Sequence, residues 1–210
     1  MAKSVAQRHT FWMGWDLRTG SHAQADAADH FEQSAPTYPS AETRYELIAV
    51  AARGFRPPHF VTSTDVDTAK DRESASRVEY PGLRQTWSTL YQRIAETGPS
   101  LERHFAIYLL GVNPPADASA TDLEAFNDFY TNVHLVEVAE RRHALRATRY
   151  ELVEEVRPPY QGAPRFLATY ELDEKSAANR RHVGPPYSAG PDVWQRHTTP
   201  WRLWYRQLGA

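Results

Sequence analysis

The pentapeptide Thr-Arg-Tyr-Glu-Leu occurs twice, at Thr43–Leu47 and at Thr148–Leu152, a separation of 105 residues in a chain of 210. A chain that repeats itself at half its own length is expected to hold two copies of one supersecondary unit, each burying its apolar face against the other. The flanks extend the match. An aromatic and apolar run precedes each pentapeptide, Phe11-Trp-Met-Gly-Trp-Asp-Leu-Arg18 and Phe105-Ala-Ile-Tyr-Leu-Leu-Gly-Val112. Both runs suit buried strands and are too short to cross a membrane. Downstream, Pro58–Asp67 parallels Pro164–Asp173, pairing Phe60 with Phe166 and Asp67 with Asp173. Trp87–Arg93 then parallels Trp201–Gln207, with Trp and Tyr four residues apart in both.

Each half reads strand, helix, strand, strand, helix, strand. Residues 44–50 and 59–66 have the bulk and alternation of half-buried strands, with Gly54, Pro57 and Pro58 between them, and Pro158, Pro159, Gly162 and Pro164 punctuate the corresponding link. This order predicts an α+β chain of two ferredoxin-like repeats, residues 1–99 and 100–210, whose antiparallel sheets can cover each other.

Apolar residues make up 41% of the chain and charged residues 24%, with a net charge of −2, so a core is accessible and no general basic field for nucleic acid exists. The absence of cysteine excludes a disulfide framework, a thiolate metal site and a cysteine nucleophile. The nine histidines show no paired ligand spacing, so no metal site is expected. The first ten residues lack the apolar core of a signal peptide, and a cytoplasmic location is expected. Phosphate-binding Gly-rich loops, a nucleophile-elbow Ser and a His-Glu-x-x-His motif are all absent.

The halves differ in the stretch before the pentapeptide. From Phe11 to Thr43 is 32 residues, and from Phe105 to Thr148 is 43. The longer stretch predicts a helix opening on a capping box at Thr121-Asp-Leu-Glu124 and running to about Arg141. Spacings of three and four put Phe126, Tyr130 and either Val133 or His134 on one stripe facing the sheet. Imidazole titrates near neutrality, so His134 in an apolar pocket could remove an acidic carbon-bound or phenolic proton, with Tyr130 orienting it or donating to an enolate oxygen. The plain alternative is a satisfied core histidine beside a packing tyrosine. In the first half the region Ser21–Gln33 is short, and Ala35-Pro-Thr-Tyr-Pro39 interrupts the stretch that carries Tyr130–Glu140 in the second. One working pocket is therefore expected, in the second repeat, with the first as a degenerate structural partner.

Tyr130-x-x-x-His134, Ala144-Leu-Arg-Ala-Thr-Arg-Tyr-Glu151, Ala163–Leu172 and the terminal Trp201-Arg-Leu-Trp-Tyr-Arg206 together resemble the EthD-like branch of the dimeric α/β-barrel superfamily. The likeness spans residues 103–208 on short, degenerate motifs. It implies a barrel made by pairing two sheets, here within one chain, and a pocket between the sheet and helices of one repeat. The family includes polyketide cyclases, cofactor-free monooxygenases acting on anthrones, lactone isomerases, dehydratases or decarboxylases, some haem proteins and small stress-related proteins. A fold so widely reused does not name a reaction.

Period-two alternation puts Phe166, Ala168, Tyr170 and Leu172 on one face of their strand, opposite Arg165, Leu167, Thr169 and Glu171. If the first set faces the helices, Tyr170 and its expected cross-strand neighbour Tyr150 line an aromatic-binding pocket. Phe126, Tyr108 and Trp204 complete the expected substrate-binding set; plain core packing is the alternative for each. The irregular stretch Ser176–Thr199 is a candidate lid. The resulting expectation is a cofactor-independent enzyme using His134 and Tyr130 for cyclisation, dehydration or isomerisation of an aromatic, polyketide-like or lactone substrate. Cofactor-free oxygenation of a phenolic or anthrone-like substrate is the first alternative, and a non-catalytic small-ligand or stress protein the second. A small hydrophobic substrate is the expected partner, with no nucleic acid or membrane, and with further homo-oligomerisation open.

Overall fold

The fold is described from a computed structural model that defines residues 8–18, 24–33, 42–51, 56–67, 71, 73, 75, 78–80, 82–99, 103–159, 161–179 and 186–209. Eight antiparallel strands close into a barrel: β1 (His9–Leu17), β2 (Glu42–Val50), β3 (Phe60–Val66), β4 (Leu83–Thr97), β5 (Ala106–Asn113), β6 (Arg146–Arg157), β7 (Phe166–Leu172) and β8 (Thr198–Gln207). Their order around the barrel is β1-β3-β2-β8-β5-β7-β6-β4. Within the first half the neighbours run β4-β1-β3-β2, and within the second β8-β5-β7-β6, the same order of first to fourth strand. The halves meet at two seams, β2 against β8 and β4 against β6.

The repeated pentapeptide shows how sequence sets these faces. Successive strand side chains point to opposite sides. Tyr45 and Tyr150 pack inside the barrel with Trp12, Trp87, Leu109, Leu167, Trp201 and Tyr205. The arginine between Thr and Tyr therefore points outward, beneath a helix, in both copies. Arg44 donates to the Phe31 and Glu32 carbonyls of α1 (Gln24–Gln33), and Arg149 donates to Asn127 and Thr131 on the second-half helix. Two outer cores result, one under α1 around Phe11, Phe31, Phe60 and Tyr80, and one over β5 to β8 around Tyr108, Phe126, Tyr130 and Tyr170.

Contacts across the barrel are reciprocal. Tyr91 donates its hydroxyl to the Pro164 carbonyl at 2.7 Å, and Tyr205 donates to the Pro58 carbonyl at 3.1 Å. At the seams Arg93 pairs with Tyr150, and Tyr45 with Gln207. Gly14 lies opposite Trp87 and Gly111 opposite Trp201, and the two indoles meet at 5.4 Å. A Cβ on Gly111 would sit 2.6 Å from Pro164 Cγ, and one on Gly14 2.8 Å from Pro58 Cγ. These close approaches align Gly14 with Gly111. They correct the first-strand match by three residues: Phe11 corresponds to Tyr108 rather than to Phe105, because the register is held where the indole crosses the glycine.

The second-half helix starts earlier than its sequence signal. Ser119, not Thr121, caps α2 (Ala120–Phe129): its Oγ accepts from Asp122 N at 3.2 Å, while Asp122 accepts from Ser119 N at 3.0 Å. Ser119 is extended, with ψ 170°, as an N-cap must be, whereas Thr121 is already helical. The helix does not run unbroken to Arg141. Tyr130–His134 forms a π turn closed by Leu135 N–H on the Tyr130 carbonyl, before α3 (Leu135–Arg142). Short helices α4 (Glu174–Ala178) and α5 (Asp192–Gln195) precede β8. The expected interruption at Ala35–Pro39 and Gly54 lie outside the described residues. No helix among the described residues is long and apolar enough to cross a membrane.

Candidate functional site

The site lies between the outer face of the second-half sheet and the helix that crosses it. The floor is Tyr108 on β5, Tyr170 on β7 and Trp204 on β8. Tyr108 stacks on Trp204 at 4.2 Å and on Tyr170 at 5.7 Å, with the Arg142 guanidinium above Tyr108 and Trp204 at 5.0 and 4.8 Å. The roof is Phe126 and Phe129 of α2 with Tyr130 and His134 of the π turn. Tyr130 meets Phe126 edge-on at 6.0 Å and His134 at 5.7 Å. A π turn carries an extra residue in the helical cycle, and such turns recur at functional sites. Here it keeps both Tyr130 and His134 turned inward, while Val133 is only partly buried.

The segment before β8 covers this roof. Trp194 of α5 packs on His134 at 4.6 Å, on Tyr130 at 5.1 Å and on Phe129 at 5.2 Å. Tyr187 meets His134 at 5.3 Å and carries Arg141 on its ring at 4.3 Å. Ser188 donates through its N–H to Glu137 at 3.1 Å, and Arg141 to the Pro186 carbonyl at 3.0 Å. The described part of Ser176–Thr199 thus lies closed over His134; residues 180–185 fall outside the described residues.

Burial lowers the His134 imidazole to about 4, with neighbouring His197 acting in the same direction, so His134 is neutral at pH 7. Burial raises the hydroxyls of Tyr130 and Tyr170, with Arg149 opposing the rise in both. Among the described residues, Tyr130 Oη, Tyr170 Oη and His134 Nδ1 have no hydrogen-bond partner although all are buried. Buried polar atoms are rarely left so, and three of them share this one core.

Arg149 adds charge to this cluster. It is 1% exposed, and its guanidinium lies over Tyr130 at 4.3 Å and Phe166 at 4.4 Å. Its hydrogen bonds go to neutral acceptors, Thr131 Oγ1 at 2.7 Å with the carbonyl and side-chain oxygens of Asn127. Burial lowers it to about 10, still a full cation at neutral pH. Its first-half counterpart Arg44 instead sits 3.4 Å from the carboxylate of Glu42, to which Tyr80 also donates. The residue in Glu42's place in the second half is Ala147. The same arginine is therefore neutralised in one half and has no carboxylate within ion-pair distance, among the described residues, in the other.

Six of the seven sequence-selected residues come together: Tyr108, Phe126, Tyr130, His134, Tyr170 and Trp204 share one outer core. Tyr150 does not. Tyr170 faces Ala147 across the ladder, and Tyr150 pairs with Leu167 and points into the barrel. The alternation that sends Arg149 to the helix sends Tyr150 inward. Arg149, Arg142 and Trp194 escaped sequence reasoning. The signal for Arg149 was present as the change from Glu42 to Ala147 immediately before the repeated pentapeptide. Among the described residues no group of three or more His, Asp or Glu side chains could hold a metal ion.

No protein-family model matches the chain, and no curated protein matches its sequence. Two solved structures resemble it over almost their full length. One is of a chlorite dismutase-like protein, 10% identical with a TM-score of 0.51, covering 98% of this chain and 96% of its own. The other is of an anthrone oxidase-like protein, 8% identical with a TM-score of 0.51, covering 99% and 94%. Such identities establish fold alone, a closed eight-stranded antiparallel barrel with helices outside it.

Proposed function

We propose that this chain is a small-molecule enzyme whose single working pocket lies beneath the second-half helix and stabilises a substrate anion formed by proton removal from carbon. The observation that carries the reading is the buried, carboxylate-free cation Arg149 beside the unpartnered hydroxyls of Tyr130 and Tyr170 and the neutral imidazole of His134. A fixed cation and pre-aimed donors in a dry site favour charge that develops during reaction over a neutral ground state. His134 accepts the proton through a ring nitrogen. Tyr130 and Tyr170 donate to the enolate or phenolate oxygen, and Arg149 lies behind them. The protonated His134 then returns its proton at another atom, which completes an isomerisation, a dehydration or the closure of a ring. The aromatic floor of Tyr108, Tyr170 and Trp204 fits a flat aromatic, polyketide-like or lactone substrate, and Trp194 must move aside to admit it.

The reading extends to the whole chain: residues 1–99 and 100–210 are tandem ferredoxin-like copies of an EthD-like unit, fused so that one polypeptide supplies both halves of the barrel. The reciprocal Tyr91–Pro164 and Tyr205–Pro58 bonds support this, since isologous contacts are what a two-fold interface produces. The same anion suits a second reading, cofactor-free oxygenation, in which the carbanion passes electrons to dioxygen. Likeness to an anthrone oxidase-like fold makes anthrone the first probe. Oxygen uptake on mixing protein with anthrone in air supports oxygenation. Conversion without uptake supports the isomerase-type reading. Full turnover by a folded His134→Ala variant excludes His134 from either.

A further inference from the structure

The barrel interior holds a cavity of about 160 Å³ on the opposite face of the sheet from the helix-side aromatic cluster. It is lined from both halves at matched positions: Tyr45 and Tyr150, Ser63 and Thr169, Asp65 and Glu171. It opens where Arg8 and Asp65 reach solvent. The end that opens is dense in polar groups. Arg93 is held by Asp65 at 3.1 Å, and Arg146 by Glu96 at 2.7 Å. Glu171 lies 3.7 Å from Arg146 and 3.8 Å from His104.

Several of these groups have hydrogen-bonding capacity left over. Among the described residues, the Nε atoms of Arg93 and Arg146, both ring nitrogens of His104 and Oε2 of Glu171 have no hydrogen-bond partner. The His104 side chain is 7% exposed, and those of Arg93 and Arg146 are 8% and 9% exposed. Burial lowers His104 to about 4 and raises Glu171 to about 7, so between those values both are uncharged and their contact is not an ion pair. The charges are then three cations in the lining, Arg8, Arg93 and Arg146, against Asp65 in the lining and Glu96, which pairs with Arg146 from outside it. One positive charge is left over. Aromatic walls complete the space: Tyr45 stacks on His104 at 5.7 Å and on Trp12 at 6.3 Å, and Trp12 meets Tyr150 edge-on at 6.2 Å.

We propose that this interior cavity is a second ligand site, distinct from the helix-side pocket, for a monoanionic carboxylic acid no larger than benzoate. Its carboxylate lies between Arg93, Arg146 and Glu171, and its apolar part lies against Tyr45 and Tyr150. Size sets the upper limit, since a protein cavity of about 150 Å³ accommodates benzene. Charge sets the sign, since one anion balances the excess cation. Below neutrality Glu171 already carries the proton that the entering carboxylate shares, and above neutrality it takes one up from solvent on binding, because two carboxylates at hydrogen-bonding distance share a proton rather than both ionise. The groups facing Glu171 are Arg146 from β6, Arg93 and Glu96 from β4, His104 ahead of β5, and the Tyr45 and Tyr150 rings.

The test is calorimetric titration of the intact protein with benzoate, benzamide and benzylamine at about pH 6 and about pH 8. Expected are saturable benzoate binding at one site, affinity about tenfold or more higher at the lower pH, and binding of the amide and the amine at least about tenfold weaker. Glu171→Gln, which keeps a donor in place, retains benzoate binding and loses the pH dependence. Arg93→Met, checked for a native circular dichroism spectrum, weakens it at least about tenfold. His134→Ala leaves benzoate affinity unchanged, so failure of the helix-side reading and failure of this one are separable. No benzoate binding at millimolar concentration, preference for benzylamine, an unchanged pH dependence in Glu171→Gln, or loss of binding in His134→Ala would each overturn the proposal.

Discussion

Arg149 and Arg44 occupy the same place in two copies of one pentapeptide, and one carboxylate separates their roles. Both arginines tie a helix to the sheet; Glu42 sits beside Arg44, whereas Ala147 leaves Arg149 with no carboxylate in ion-pair distance among the described residues. Arg149→Lys loses the planar fork that reaches Asn127 and Thr131 together. It is expected to lower kcat by roughly a hundredfold and to lower the melting temperature as those buried bonds are lost, whereas Arg44→Lys leaves kcat intact. The buried histidines set a pH dependence of stability. His134 and His104 fall from the usual 6.5 to about 4, so between those values the unfolded chain binds the extra protons and stability declines as pH falls through that window. Glu171, raised from 4.5 to about 7, acts with the opposite sign: its burial costs stability as pH rises through that range. Chemical denaturation should therefore show Glu171→Gln stabilising the protein above pH 7, by at most about 3 kcal/mol, and His104→Gln flattening the acid side. At this scale Tyr130 and His134 were legible because i, i+4 spacing on an amphipathic helix admits one inward face. Tyr150 was not, since alternation alone fixes which residues share a face and not which face is inside.

Among the elements, the helix carrying the site is the most irregular piece of the chain. Its start was misplaced by two residues because Thr121-x-x-Glu124 and Ser119-x-x-Asp122 are both plausible capping boxes, and only the extended backbone of Ser119 selects between them. Its π turn had no sequence signal, since an inserted residue is visible only against a regular copy and α1 is too short to serve as one. At its far end His143 takes the left-handed conformation, φ 51°, where glycine is usual. His143→Gly is expected to raise unfolding free energy by up to about 1 kcal/mol in urea melts, with no effect on turnover. Residues 44–50 and 59–66 match β2 and β3 to within two residues, whereas β4 runs four residues beyond Trp87–Arg93 at each end. The first-strand register slipped by three residues because the eye follows the aromatic run, whereas packing follows Gly14 and Gly111, where an indole crosses the backbone.

For the whole molecule, the two seams β2–β8 and β4–β6 close one barrel, so neither half has a finished interior alone. A fragment of residues 100–210 would expose Leu109, Leu167, Leu203 and Tyr205, all buried within the barrel. It is expected to run as a homodimer in gel filtration, two copies rebuilding the seams with each other. A folded monomeric fragment would count against the tandem reading. The shared strand order of the two halves, β4-β1-β3-β2 and β8-β5-β7-β6, was legible in part because the repeated pentapeptide marks β2 and β6, which occupy the same place in it. The interior cavity was not, because its charged groups come from β3, β4, β6, β7 and the segment before β5, which only closure brings together. The central claim is that one half works, through an anion-stabilising pocket built on His134 and Arg149. Its most direct test is the rate of deuterium uptake at the methylene of anthrone, followed by NMR in oxygen-free heavy water. The account predicts exchange well above the buffer rate with the intact protein and with Arg44→Lys, and exchange at the buffer rate with His134→Ala and with Arg149→Lys. Undiminished exchange in folded His134→Ala, or no acceleration by the intact protein with anthrone bound, would contradict it.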